Sequence, residues 1–127
     1  MPTTTFAWVG TSATVGTVDE LLKKLQVKGT SSLKLINRPA DVKISGVRGS
    51  GTKVMLVFAK NKLELDQHLP STASADILWI AYPKGSSKID TDLNRDVLRV
   101  EMETKRLESV SLIAIDETWS AMRFKSN

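Results

Sequence analysis

Two uninterrupted apolar runs dominate the hydrophobic pattern of this chain. Residues 53–59, KVMLVFA, and residues 77–82, ILWIAY, lack the polar alternation of a half-solvated strand. Such runs are expected of strands covered on both faces. Between them Leu63, Leu65 and Leu69 supply the apolar positions of a helix that Asn61 can cap and Pro70 closes. Strand, helix and strand in that order predict a parallel βαβ unit with a right-handed crossover.

The flanking pattern extends this frame. Val18, Leu21, Leu22 and Leu25 recur at helical spacing behind a capping box of Thr17 and Glu20, which predicts a first helix ending near Lys28 and stopped by Gly29. Residues 33–37 predict a short strand closed by Arg38-Pro39. In residues 39–52, Val42 and Ile44 alternate with charged neighbours while Gly46, Gly49 and Gly51 interrupt, so a short strand and an irregular turn both fit. Asp90 or Thr91 caps the longest predicted helix, residues 91–107. Its buried face is Leu93, Val97, Val100 and Leu107, widened by Leu98 and Met102. Strands at 110–115 and 120–124 are separated only by Asp116-Glu117-Thr118-Trp119, a connection so short that they form an antiparallel hairpin. Residues 1–16, rich in Thr, Ser, Gly and Ala, read as a loosely held N-terminal arm of a single domain. In that arm Phe6, Trp8 and Val9 suit a short strand or a docked segment.

The expected architecture is therefore α/β: a three-layer, Rossmann-like domain with a mainly parallel sheet of about five strands, ending in an antiparallel C-terminal hairpin. That order resembles the second half of the class I methyltransferase fold behind a reduced first half. The segments YPKGSS (82–87), TDLNRDV (91–97) and AIDETWSAMRF (114–124) also resemble a family of small bacterial proteins of unassigned function. The resemblance spans roughly residues 17–125. It implies a methyltransferase-like fold and a bacterial, cytoplasmic setting, and it transfers no activity.

Composition narrows the chemistry. The chain has no cysteine, which excludes disulfides, thiol nucleophiles and thiolate metal sites. Its single histidine, His68, lies beside Leu69-Pro70 at a helix end and builds no catalytic set. No apolar run approaches the ~18 residues of a membrane span, and the first ten residues lack the basic and apolar regions of a signal peptide. A reducing cytoplasm is the simplest expected compartment. Residues 1–60 hold nine Lys and Arg against three Asp and Glu, whereas residues 61–127 hold nine against eleven. The basic residues are scattered and not interleaved with aromatics, so they read as solvated surface, not as a nucleic-acid face.

Candidate site residues concentrate in residues 82–124. Lys84, Ser86 and Ser87 follow a predicted parallel strand, the edge where open α/β sheets bind ligands. They suit a small anion, but without a full Walker spacing they read first as a polar loop that caps the next helix. Asp92, Arg95 and Asp96 fall within one helical turn, where an Asp92–Arg95 pair and the helix dipole account for them. Asn94 lacks such a reason and is expected to tie the helix to the hairpin or to touch a ligand. Asp116, Trp119 and Arg123 straddle the hairpin, with Glu117 and Ser120 beside them. Arg123 is expected to bind Asp92 or Asp96 in a structural network, with Trp119 buried; the alternative is a ligand site, with Arg123 exposed in a cleft without a carboxylate partner.

No cofactor is expected. A methyltransferase-like fold invites S-adenosylmethionine, but the strand at 33–36 is followed by Asn37-Arg38-Pro39-Ala40, with no glycine to admit the cofactor. The leading functional expectation is a non-catalytic binding or interaction module on a degenerate methyltransferase-like fold. Two others stand beside it: an enzyme or binding protein for a small anionic or nucleotide-like molecule at the carboxyl edge of the sheet, and a scaffold that keeps the fold only for assembly.

Overall fold

The central strands lack polar alternation because both of their faces are covered. The computed structural model describes residues 18–27, 29–40, 42, 44–85, 89 and 91–126. Its elements run α1 (Val18–Lys24), β1 (Ser32–Ile36), β2 (Lys53–Phe58), α2 (Lys62–His68), β3 (Ile77–Pro83), α3 (Arg95–Glu103), β4 (Leu107–Ala114) and β5 (Trp119–Ser126). The strands form one sheet in the order β1-β2-β3-β5-β4. The β1–β2 and β2–β3 pairings are parallel, while β3–β5 and β4–β5 are antiparallel.

Each strand feeds two cores by its period of two. Leu56, Phe58, Trp79, Ala81, Trp119 and Ala121 face α1, where Leu21 and Leu25 meet them. Met55, Val57, Leu78, Ile80, Tyr82, Met122 and Phe124 face α2 and α3, which contribute Leu65, Leu98 and Met102. The Trp79 indole N–H donates to the Leu25 carbonyl at 3.1 Å and pins the end of α1 to the sheet.

This arrangement corrects the expected three-layer, Rossmann-like, mainly parallel fold. The sheet is mixed, with two of its four pairings antiparallel. Helices α2 and α3 cover one face, but among the described residues the other carries only the two turns of α1 and irregular chain after β1. A crossover helix between β1 and β2 would complete that layer. Pro39 removes a backbone donor, and the glycines at 46, 49 and 51 disfavour a helix in their stead. Gly49 runs so close to the start of β1 that a Cβ would stand 2.2 Å from the Thr30 carbonyl oxygen. Among its described residues the segment forms one antiparallel bridge, Val47 to Leu33, with hydrogen bonds of 2.8 and 2.9 Å in the two directions. That bridge occupies the outer edge of β1 at Leu33.

Helix bounds also differ from the expectation. α1 ends at Lys24, not near Lys28, because Gln26 takes a left-handed conformation at φ 67°. The Gln26 N–H then donates to Lys23 O and the Val27 N–H to Leu22 O, a Schellman closure. α3 starts at Arg95, four residues later than expected. Its buried face centres on Leu98 and Met102, which are fully buried, whereas Val100, expected on that face, is exposed. Leu93 is buried too, from the loop ahead of the helix. The expected N-terminal arm with Phe6, Trp8 and Val9, the Thr17 cap and Asp90 lie outside the described residues.

Candidate functional site

The carboxyl ends of the three parallel strands and the β4–β5 turn converge on one edge of the sheet. Two shallow clefts open there. The first, of about 320 Å³, lies on the α3 side and is lined by Tyr82, Lys84, Gly85, Asn94, Arg95, Asp96, Leu112 and Ser120. The second, of about 280 Å³, is lined by Asn37, Arg38, Pro39, Lys60, Glu64, Ile89 and Trp119.

In the first cleft β3 positions Tyr82 and Lys84, and β5 brings Ser120 opposite Tyr82. The Lys84 backbone N–H donates to Thr118 O at 2.8 Å, which fastens this end of β3 to the hairpin turn. Burial pushes the Tyr82 phenol above its ordinary value; the nearby Arg95 charge and a hydrogen bond with Ser120 oppose this in part. Arg95 and Arg99 both approach Asp96, at 3.9 and 3.7 Å, and all three side chains are well exposed. Pairs of this kind add little stability. The ammonium of Lys84 has no carboxylate partner among the described residues.

The loops that frame the edge are built by hydrogen bonds from short polar side chains. Asn94 is the N-cap of α3, and its Oδ1 accepts from the Val97 N–H at 2.9 Å. That answers why an amide stands there: it satisfies a backbone donor at the helix start. Asp92 makes no pair with Arg95; its Oδ1 accepts from the Lys62 N–H at the start of α2, at 2.9 Å. Thr91 donates its hydroxyl to Lys60 O and accepts from the Leu93 N–H. Asn37, left-handed at φ 61°, donates to Phe58 O and to Glu64 Oε1, and Glu64 Oε1 also accepts from the Lys60 N–H. The loops after β1, β2 and β3 are thus one hydrogen-bonded unit.

The structure gathers Lys84, Asn94 and Arg95 in the first cleft and takes Asp116, Trp119 and Arg123 elsewhere. Asp116 closes the hairpin, its Oδ1 accepting from the Thr118 and Trp119 N–H groups at 2.8 and 2.7 Å. Trp119 is 3% exposed and meets Phe58 edge to face, with ring centroids 5.3 Å apart. The expected bond from Arg123 to Asp92 or Asp96 is absent. Arg123 lies opposite Trp79 in register, on the α1 face, whereas α3 covers the face of Met122 and Phe124. Strand alternation therefore puts the sheet between the two charges. The Arg123 Nε is shielded from solvent without a hydrogen-bond partner among the described residues. Ser86 and Ser87 lie outside the described residues.

Sequence reasoning passed over Tyr82, Asn37, Arg38, Lys60 and Glu64 as site residues. The signal for most of them was weak, because each is a single polar residue at the end of an apolar run. It also passed over β4, the outer strand, whose burial alternates while Val110 and Leu112 stay 38% and 47% exposed. No group of three or more His, Asp or Glu among the described residues is placed to hold a metal ion. Among them, no helix is long and apolar enough to cross a membrane. No protein-family model matches the chain, and no curated protein matches it.

Proposed function

We propose that this protein is a non-catalytic interaction module whose binding element is the free edge of β4. The observation that carries the reading is the contrast between the two edges of the sheet. The outer edge of β1 is bridged to Val47 at Leu33, whereas β4 pairs only with β5 among the described residues. An unpaired strand is a template for another strand, its main-chain groups supplying affinity and alternate side chains specificity. β4 reads LESVSLIA, with one charge in eight residues and no proline. Charge and proline are the usual devices that discourage pairing at an edge. A display selection of random peptides against the protein tests this reading. Extended peptides with alternating aliphatic residues are expected to bind, to lose binding with Leu112→Lys and to keep it with Lys84→Ala. Selected peptides that ignore Leu112→Lys would remove the edge as the binding element.

A second reading has its own support in the first cleft, where Lys84 and Arg95 stand beside the N-terminus of α3. That combination suits a small anion such as a phosphate group. Melting curves with inorganic phosphate and nucleoside phosphates test it. A ligand at ~100 times its dissociation constant stabilises a fold by about 2.7 kcal/mol, and Lys84→Ala should abolish the shift.

A further inference from the structure

We propose that the strand received by β4 is β4 of a second copy of this chain, giving a two-fold dimer with a continuous ten-stranded sheet. The inference rests on the reading of β4 as a docking edge and names its occupant.

Charge is ordered along the edge. β4 is preceded by Lys105-Arg106 and followed, after Ile115, by Asp116-Glu117. A two-fold axis requires the two copies of a self-paired antiparallel strand to meet head to tail. The basic end of each copy then meets the acidic end of the other, and the match occurs twice. The bulge between Ser109 and Ser111 inverts the side-chain alternation of β4, so same-face residues on either side of it differ in parity and an axis that matches faces lies between two residues within the bulge. Such an axis brings the Lys105-Arg106 turn of each copy, where Arg106 is left-handed at φ 62°, toward the Asp116-Glu117 turn of the other. Val110 and Leu112, the exposed large aliphatic side chains of β4, both lie beside this axis, where the second copy covers them.

The local geometry is compatible with this seam. The register with β5 skips at Val110, which leaves that residue without a partner there. From Ser111 to Ala114 the ladder is regular. Arg106 and Glu117 are exposed and form no ion pair among the described residues. Lys105 reaches only Glu101, at 3.9 Å, and can turn to a stronger partner.

Sedimentation equilibrium on the full chain from low-micromolar to millimolar concentration tests the proposal. The mass is expected to rise from one chain to two, and Leu112→Lys, which sets two cations into the seam, is expected to hold it at one. Lys105→Glu alone and Glu117→Lys alone should each weaken the dimer about threefold to tenfold, since each breaks two exposed ion pairs. The double variant Lys105→Glu/Glu117→Lys should recover most of the loss. Melting curves of every variant verify that the fold is intact. A single-chain mass at millimolar concentration overturns the dimer. If the peptides selected above still require Leu112, the edge reading survives that result; if they ignore it, both fall. A dimer that tolerates Leu112→Lys, or charge variants without recovery in the double, places the contact elsewhere and also overturns the proposal.

Discussion

Two buried aromatic residues show how single side chains act in this fold. The Trp79 indole satisfies the Leu25 carbonyl where α1 ends, 54 positions away in sequence. Trp79→Phe keeps most of the ring but leaves that carbonyl without its donor. The expected loss is about 1–3 kcal/mol in a urea unfolding curve. Tyr82 is the only tyrosine in the chain, so its titration can be followed without overlap by phenolate absorbance. Its folded pKa is raised, chiefly by burial, above the value near 10 of an unfolded tyrosine. The unfolded chain therefore releases this proton first. The stability linked to it is complete below about pH 10 and is lost as pH rises through the folded value. Tyr82→Phe should flatten the alkaline fall in stability relative to the parent; an unchanged slope would mean that the phenol titrates normally.

At the scale of elements, the loops decide the edge. Asn94 caps α3 while Asp92 and Thr91, just ahead of it, bind the start of α2 and the Lys60 carbonyl. Asn94→Ala should cost about 1 kcal/mol and should raise amide exchange in the first turn of α3 more than elsewhere. The β1–β2 connection makes a sharper prediction. A Cβ at Gly49 would stand 2.2 Å and 2.5 Å from the carbonyl oxygens of Thr30 and Ser31, and neither backbone atom can swing aside as a side chain can. Gly49→Ala should destabilise by about 1–3 kcal/mol or more, and the effect should be visible as a lower melting temperature. An unaffected melting temperature would mean that this connection is free to shift.

At the scale of the molecule, the sheet is a partition between two cores. Arg123 stands on the α1 side and Asp96 on the α3 helix across it. Unfolding of Arg123→Ala, Asp96→Ala and the double variant should therefore be additive within ~0.5 kcal/mol, as for sites without shared partners. A larger coupling would bring the two charges back into one network. Several features were legible in the sequence because short windows determine them. The apolar runs of β2 and β3, the Asn61 cap and the four-residue hairpin connection each follow from local period, capping chemistry or loop length. Other features needed tertiary structure. Asn94 is a cap only because α3 begins at Arg95, and both Asp90 and Thr91 offered the same chemistry earlier in the chain. The face of Arg123 could not be read from β5, because Trp119 and Ala121 on one side and Met122 and Phe124 on the other are all buried. An alternating pattern marks a side only when one side is wet. By itself, then, the sequence determined which segments are strands and that the last two turn back on each other. Only the tertiary structure decided which side each polar residue joins and which strand edge stays open, since both depend on pairing between segments far apart in the chain.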